Sequence, residues 1–296
     1  MLSVDEAHLL ERSLPAATAQ PDADVVVIDN ACTDATAALC EQHGARRVAL
    51  PERRSYAAAI NAGIAATGGP ALLLLNADCV LDGGFLAAAR PRLDEPGVGS
   101  VAPLLLRATG MDEADRTDIV DAAGMTIDRR GKNSLVGHGE PRAAHARPRE
   151  AFGGDGACVL YRREALDGVA VGAEVLDEDM ALWASDADLA WRVRNAGWRC
   201  VYEPRAAAWH VRFYSPGNRP LVAPEHRRLQ FRNRLLMLAK NETGRGFAKN
   251  APFILGYEVL ALGHALLRER TLLRGYVDAG RLLGAARSRR RARPPQ

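Results

Sequence analysis

The chain has 296 residues, 39 of them basic and 36 acidic, with a formal net charge of +3. That length supports one large or two small domains with a real core, and so even a charge balance lacks the basic excess of a dedicated nucleic-acid binder, which sets nucleic acid aside as a partner. The five cysteines (Cys32, Cys40, Cys79, Cys158 and Cys200) are dispersed without a Cys-x-x-Cys pair, a pattern of free thiols in a reducing cytoplasm rather than of zinc or disulfide frameworks.

The opening "MLSVDEAHLLERS" carries charge where a signal peptide would be apolar, so none is expected. "DEAHLLERSLPAAT" reads as a helix with Leu9, Leu10 and Leu14 on one face. "DVVVIDN" is a strand. "TDATAALCEQHG" is a helix that Thr33 or Asp34 can cap and Gly44 can end. "ARRVALP" is a short strand, "SYAAAINAGIAATGG" a helix closed by glycines, and "PALLLLNAD" a strand with no wet face. Strands that are apolar throughout and alternate with helices indicate a parallel sheet covered on both sides. Residues 107–150 read as long loops. "GACVLYRREAL" returns to strand then helix, "SDADLAWRVRNAGW" is a helix, and "RCVYEPRAAAWH" is a strand region. The basic, proline-ended tail from Arg287 reads as disordered.

Chemistry is expected at the strand exits. In α/β sheets, ligands sit at the carboxyl ends of parallel strands. "VVVIDN" ends in Asp29, which a dinucleotide-binding fold would use for a ribose, but no glycine lies upstream to make the required turn. "LLLLNAD" ends in Asn76 and Asp78, a short acidic motif suited to Mg²⁺ or Mn²⁺ shared with a diphosphate. By itself an Asp after a strand is more often a cap or turn residue.

"VVVIDNACTDAT", "RRSYAAAINAGIAATGG", "LLLLNAD", "GACVLYRREAL", "SDADLAWRVRNAGWRCVYEPRAAAWH" and "RNRLLMLAKN" occur in the order found in family 2 glycosyltransferases. The chain resembles the rhamnosyltransferase-like branch, over roughly residues 2–241. The resemblance implies a GT-A fold, a Rossmann-like α/β domain, expected over residues 1–250, followed by a helical extension and tail over 251–296. It implies sugar transfer with inversion from a nucleotide-diphosphate donor, dTDP-rhamnose or a UDP-sugar, to a glycan or lipid-linked acceptor in polysaccharide or cell-wall biosynthesis.

Carried over residue by residue, Asp29 accepts the imide N–H of the donor base, and Asn61, Asn76 and Asp78 lie at the donor. Asp186 matches the catalytic base, which takes the acceptor's proton in an in-line displacement. His210 either completes the metal site with Asp78 or is a packing residue. Asp155, in the "FGGDGA" loop, either touches the acceptor or shapes a turn. Asn61 either faces the donor or satisfies backbone groups. Trp183 and Ser185 match the acceptor region, although the family usually has Glu where Ser185 stands. Asp188 is read as structural, paired with Arg192 at i+4, and Asp34 as a cap.

Two other classes compete with this reading. A nucleotidyltransferase would need a phosphate loop that the sequence lacks, and a non-catalytic nucleotide-sugar binder would saturate without turnover. Near the end, "PFILGYEVLALGHALL" is apolar but reads as too short to span a bilayer, interrupted by Glu258 and His264. Arg270, Arg274 and Arg281 follow at helical spacing, opposite Leu266, Leu273 and Val277. A basic amphipathic helix of this kind either docks a cytoplasmic enzyme on the inner face of the plasma membrane or packs on the domain. Only "MLSVDEA" precedes the first helix, so the family's first central strand is expected to be missing, leaving a slot between the strands ending at Asp29 and Leu75.

Overall fold

The computed structural model describes residues 1–213 and 221–292. A parallel three-stranded sheet, in the order β1 (Leu2–Ser3), β2 (Val26–Asp29) and β3 (Arg46–Ala49), forms the first part. Helices α1 (Ala7–Thr18), α2 (Thr36–Gln42) and α3 (Tyr56–Ala65) connect and cover these strands. Leu9, Leu10 and Leu14 bury one face of α1 against Val27 and Leu39. Gly44, at φ 65°, ends α2 as expected. Gly63 lets α3 lie close on β2, since a Cβ there would stand 2.3 Å from Ile28.

The second sheet has seven strands and is mixed, whereas the apolar runs suggested a parallel one. β4 (Ala71–Leu75) and β6 (Val98–Ala108) both pair antiparallel with β11 (Cys158–Arg162). β12 (Arg199–His210) runs parallel to β6 and antiparallel to β5 (Cys79–Leu81). A strand buried on both faces is apolar throughout whatever its direction, so composition could not reveal the reversal. α4 (Phe85–Leu93), α5 (Arg163–Asp167) and α6 (Ser185–Asn195) flank this sheet.

Residues 107–150, read as loops, contain β7 (Arg116–Ala122), antiparallel to β6, a small hairpin of β8 (Met125–Ile127) and β9 (Asn133–Leu135), and then β10 (Arg149–Ala151) on β12. These are short edge elements whose register comes from the long central strands, which explains their weak sequence signal.

The slot between β2 and β4 is observed. β1 pairs Leu2 with Ile28 and Ser3 with Asp29, and Leu2 also bridges Asn76. The Met1 amino group donates to Val26 O at 2.6 Å and is pushed down to about 6 by burial. Beyond it, an apolar cleft of about 380 Å³ separates Val26, Ile28 and Ile64 from Leu72 and Leu74. Among the described residues, β2 and β4 share no ladder.

Three helices complete the chain: α7 (Pro224–Asn241), α8 (Gly244–Leu267) and α9 (Thr271–Arg291). α8 has 24 residues and is long and apolar enough to cross a membrane, so the apolar run is not too short, as its sequence suggested. Yet Glu258 binds Arg234 of α7 and Tyr276 of α9, which ties one face of α8 to the protein. The basic tail is also more ordered than expected. α9 runs through Arg291, and Arg289 pairs with Glu174 and Asp177. Residues 293–296 lie outside the described part.

Asp188, fully buried on α6, pairs with Arg192 at 2.9 Å and Lys240 at 2.9 Å, and accepts from Asn241 at 2.7 Å. Burial works against its charge, but Lys240 and Arg192 outweigh it and hold the carboxyl well below the usual range. A depressed carboxylate stabilises the fold above its unfolded pKa, about 4, and that contribution fades as pH falls below it. Asp188→Asn should therefore cost about 3–5 kcal/mol in urea unfolding at pH 7, because it leaves buried cations without their partner. The difference from the native protein should shrink toward pH 3, and equal stability at pH 7 would remove this network from the fold's support.

Candidate active site

The mixed sheet brings together acids that are far apart in sequence. Because β11 is antiparallel to β4, its start (Cys158) lies opposite the end of β4 (Leu75). The Phe152–Ala157 loop is thus delivered beside Asn76, whose N–H donates to Ala157 O at 2.8 Å. Pairing of Cys79 with His210 brings the end of β12 to the same place. The first turn of α6 closes it, where Asp186 Oδ2 accepts the Gly156 N–H at 3.1 Å. Gly156 permits this approach, since a Cβ there would already stand 3.0 Å from Asp186 Cβ.

His210 is buried, with Nδ1 2.8 Å from Asp121 Oδ2 and Nε2 3.4 Å from Asp78 Oδ2. Burial opposes its charge, but the bonds to Asp121 and Asp78 prevail and raise it to about 10. Asp121, buried on β7, also accepts from Arg212 Nε at 2.7 Å, and Arg212 Nη2 reaches Asp155 Oδ2 at 2.7 Å. Burial alone would raise the Asp121 carboxyl, yet His210 and Arg212 hold it far below its usual range. Asp186 is half-buried, and burial followed by the charge of Asp155 pushes it up.

Asp78 Oδ1 is buried with no hydrogen-bond partner among the described residues. A buried carboxylate oxygen without a donor, set beside an imidazole, is the donor set of a divalent-cation site. The residues present therefore fit Mg²⁺ or Mn²⁺. Asp5, Cys32 and Asp34 also lie close together, but Asp5 is engaged by the Thr33 N–H and Arg53, and Asp34 by the Ala7 and Thr36 N–H groups. That cluster ties the first residue of α1 to the turn before α2, where Ala35 rather than Asp34 holds the cap position.

Other expected residues lie as follows. Asp29, at the end of β2, is buried, accepts from Cys32 N at 2.7 Å, and has Arg47 Nε at 3.6 Å. Asn61 is buried and turned to the protein: its amide donates to Leu176 O and Glu178 and accepts from Val175 N and Leu176 N. Its hydrogen-bonding capacity is taken up by the 174–178 loop, which corrects the donor-facing alternative. Ser185 is buried at the start of α6, with no exposed group for an acceptor. Trp183 is partly exposed and packs edge-on to His226.

Sequence reasoning did not single out Asp121, Arg212 or Tyr56. The Tyr56 phenol is pushed up by burial and by the charges of Asp186, Asp155 and Asp78. The alternation in "TDIVDAA" could have revealed β7, but no local signal aims Asp121 at His210.

Residues 1–169 match the family described as Glycosyl transferase family 2. Uncharacterized glycosyltransferases of Mycobacterium tuberculosis and Mycobacterium bovis are 38% identical over 87 residues, 29% of this chain and 39% of theirs, so the match spans well under half their length. The N-acetylglucosaminyl-diphospho-decaprenol L-rhamnosyltransferase of M. tuberculosis is 27% identical over 257 residues, covering 78% of this chain and 79% of that one. Among solved structures, a mannosyltransferase from Pyrobaculum calidifontis in complex with GDP-Man and Mn²⁺ superimposes with TM-score 0.55 at 17% identity, over 96% of this chain and 74% of that one. TarS 1-349 of S. aureus with UDP-GlcNAc gives TM-score 0.60 at 13% identity, over 98% and 86% of the two chains. With more than half of its 296 residues inside the family match, and with a fold shared with GT-A glycosyltransferases, this chain belongs to glycosyl transferase family 2.

Proposed function

We propose that the protein is an inverting glycosyltransferase that moves a sugar from a nucleotide-diphosphate donor to a lipid-linked glycan acceptor, with dTDP-rhamnose the first donor to test. The reading rests above all on one observation. Asp78, with its unpartnered oxygen, His210, Asp155 and Asp186 meet where the ends of β4 and β12, the loop before β11 and the start of α6 converge. The rhamnosyl choice rests on the mycobacterial rhamnosyltransferase relative alone.

In this mechanism Asp186 is the base. Its raised pKa brings it nearer the working pH, where a carboxylate is a better proton acceptor. The acceptor hydroxyl gives its proton to Asp186, its oxygen bonds to the anomeric carbon, and the bond to the diphosphate breaks on the opposite face. Mg²⁺ or Mn²⁺, held by Asp78 and by His210 once its Nε2 proton is lost, would supply positive charge against the leaving diphosphate. Asp121 fixes the imidazole so that Nε2 faces Asp78, as outer carboxylates do for metal-ligating histidines. Asp29 accepts the imide N–H of a uracil or thymine base, a charge-assisted bond. Trp183 and Asp155 line the acceptor side. Arg212, bound to both Asp121 and Asp155, is committed to holding carboxylates rather than phosphate.

Helix α8 also suits a membrane surface. α8 exposes Leu255, Val259, Leu260, Leu266 and Leu267, and Arg268, Arg270 and Arg274 follow directly. An apolar helix face beside arginines suits the surface of an anionic bilayer, and Glu258, tied to Arg234 and Tyr276, keeps the opposite face on the protein. We place the enzyme on the cytoplasmic side, peripheral to the membrane.

Asp186→Asn keeps the side-chain shape and removes the proton acceptor. Transfer from dTDP-rhamnose to N-acetylglucosaminyl-diphospho-decaprenol should fall by about 10²–10⁴ with donor affinity little changed, and a mild effect would sink the assignment of the base. Mn²⁺ binding followed by electron paramagnetic resonance should be abolished by Asp78→Ala and weakened roughly 10–100-fold by Asp121→Asn; native-like binding in Asp78→Ala would refute the metal site. Val259→Asp with Leu260→Asp should release the protein from phosphatidylglycerol vesicles in co-sedimentation. If the double variant binds as well as the native chain, the membrane face is wrong.

A further inference from the structure

The segment that leads into α6 carries backbone strain without glycine. Ala181 (φ 54°), Trp183 (φ 72°) and Ala184 (φ 58°) all have positive φ, which a Cβ disfavours; Ala184 is in the left-handed helical conformation, whereas Ala181 centres a tight turn in which the Leu182 N–H donates to Met180 O. Ala184 is the residue from which α6 starts, and no side chain caps it. Its carbonyl accepts the Asp188 N–H at 2.9 Å, and Asp186 lies between them. Any relaxation of Leu182–Ala184 would therefore turn the first turn of the helix and redirect Asp186.

One buried side chain holds this run. Asn233 of α7 is fully buried, and its Nδ2 lies 2.7 Å from Met180 O, 2.8 Å from Leu182 O and 2.8 Å from Trp183 O. Only the N–H side of an amide can face three carbonyls, so the orientation of the group is fixed by its surroundings. The other end of the amide confirms that orientation: Oδ1 accepts from Arg232 Nε at 2.9 Å, and Arg232 Nη2 in turn donates to Asp179 O at 2.7 Å. On the opposite flank, the Ala57 N–H, beside Tyr56, donates to Ala181 O at 3.1 Å.

We propose that Asn233 is a positioning residue. It holds residues 180–184 in the one path that aims Asp186 at Gly156 and presents Trp183 to the acceptor. This rests on Asp186 being the base, so the test includes a readout that does not. In hydrogen exchange followed by mass spectrometry, Asn233→Ala should speed exchange across Leu182–Asp186 at least tenfold and leave peptides from β4 and β11 unchanged. With dTDP-rhamnose and N-acetylglucosaminyl-diphospho-decaprenol, kcat should fall at least tenfold while the donor KM stays within threefold. The acid limb of the pH profile should move, because Asp186 leaves the neighbourhood of Asp155. Asn233→Ser, which keeps one donor, should fall between the native protein and Asn233→Ala.

Adding Ala184→Gly to Asn233→Ala should recover at least threefold in kcat, since glycine takes the left-handed conformation without a Cβ penalty. The proposal is overturned if exchange at Leu182–Asp186 is unaltered, if kcat stays within twofold of native, or if N233A and N233S both lose the cooperative urea transition together with donor binding. Asp186→Asn, run in parallel, separates the two ideas. Full transfer in that variant would refute the base while the exchange data still judge Asn233.

Discussion

The arrangement at the strand ends is governed by the repulsion of carboxylates packed into a partly dry space. Asp78, Asp121, Asp155 and Asp186 meet there, and Arg212 and His210 are the cations bonded among them. Among the described residues, even with His210 charged, these four acids face two cations. The fold handles this unevenly. Asp121 lies between His210 and Arg212 and is held as an anion, whereas Asp186, which has only backbone N–H donors, is pushed toward its neutral form. The unpartnered oxygen of Asp78 lies where the compensation is least complete. In the proposed function a divalent cation would offset these carboxylates, and the donor's diphosphate would bring the counter-charge.

Topology makes that crowding possible. A purely parallel sheet would put only strand carboxyl ends at the site. Here β11 runs the other way, so the loop before it arrives next to the end of β4, and the pairing of β5 with β12 aligns Asp78 with His210. β7 adds Asp121 from an element that lies outside the sheet's main path. These four acids thus come from four separate segments, and Asp121 lies far in sequence from both His210 and Arg212, the groups bonded to it.

That division explains what the sequence could reveal. The apolar runs at Val26–Asp29 and Ala71–Leu75 mark their strands because burial dictates composition, and the pairing of Asp188 with Arg192 follows from helical spacing. The order of the blocks was enough to suggest the family and the GT-A fold. Strand direction was not legible, since a buried strand is apolar either way. The order of the tail was also hidden, because Arg289, which read as solvated charge, finds Glu174, Asp177 and Asp179, 110 or more residues away in the chain. Asn61 shows the same limit from the other side: an asparagine in an alanine-rich helix fits a donor site and a loop clamp equally well until its partners are known.

Helix α7 connects the two halves of the problem. Four consecutive residues point to different neighbours, because successive side chains on a helix turn by about 100°. Phe231 packs edge-on against Tyr276 of α9, Arg232 and Asn233 hold the carbonyls of Asp179, Met180, Leu182 and Trp183, and Arg234 binds Glu258 of α8. The helix whose outer face is apolar is therefore linked, through one turn of α7, to the backbone that carries Asp186. If the proposed membrane face is α8, the direction of Asp186, the proposed base, is set relative to that surface by packing rather than by a linker. An acceptor whose sugar is attached to a membrane lipid approaches from one side and at a limited height. A fixed relation between α8 and Asp186 would suit the proposed acceptor, and the bonds of Glu258 to Arg234 of α7 and Tyr276 of α9 are what fix it.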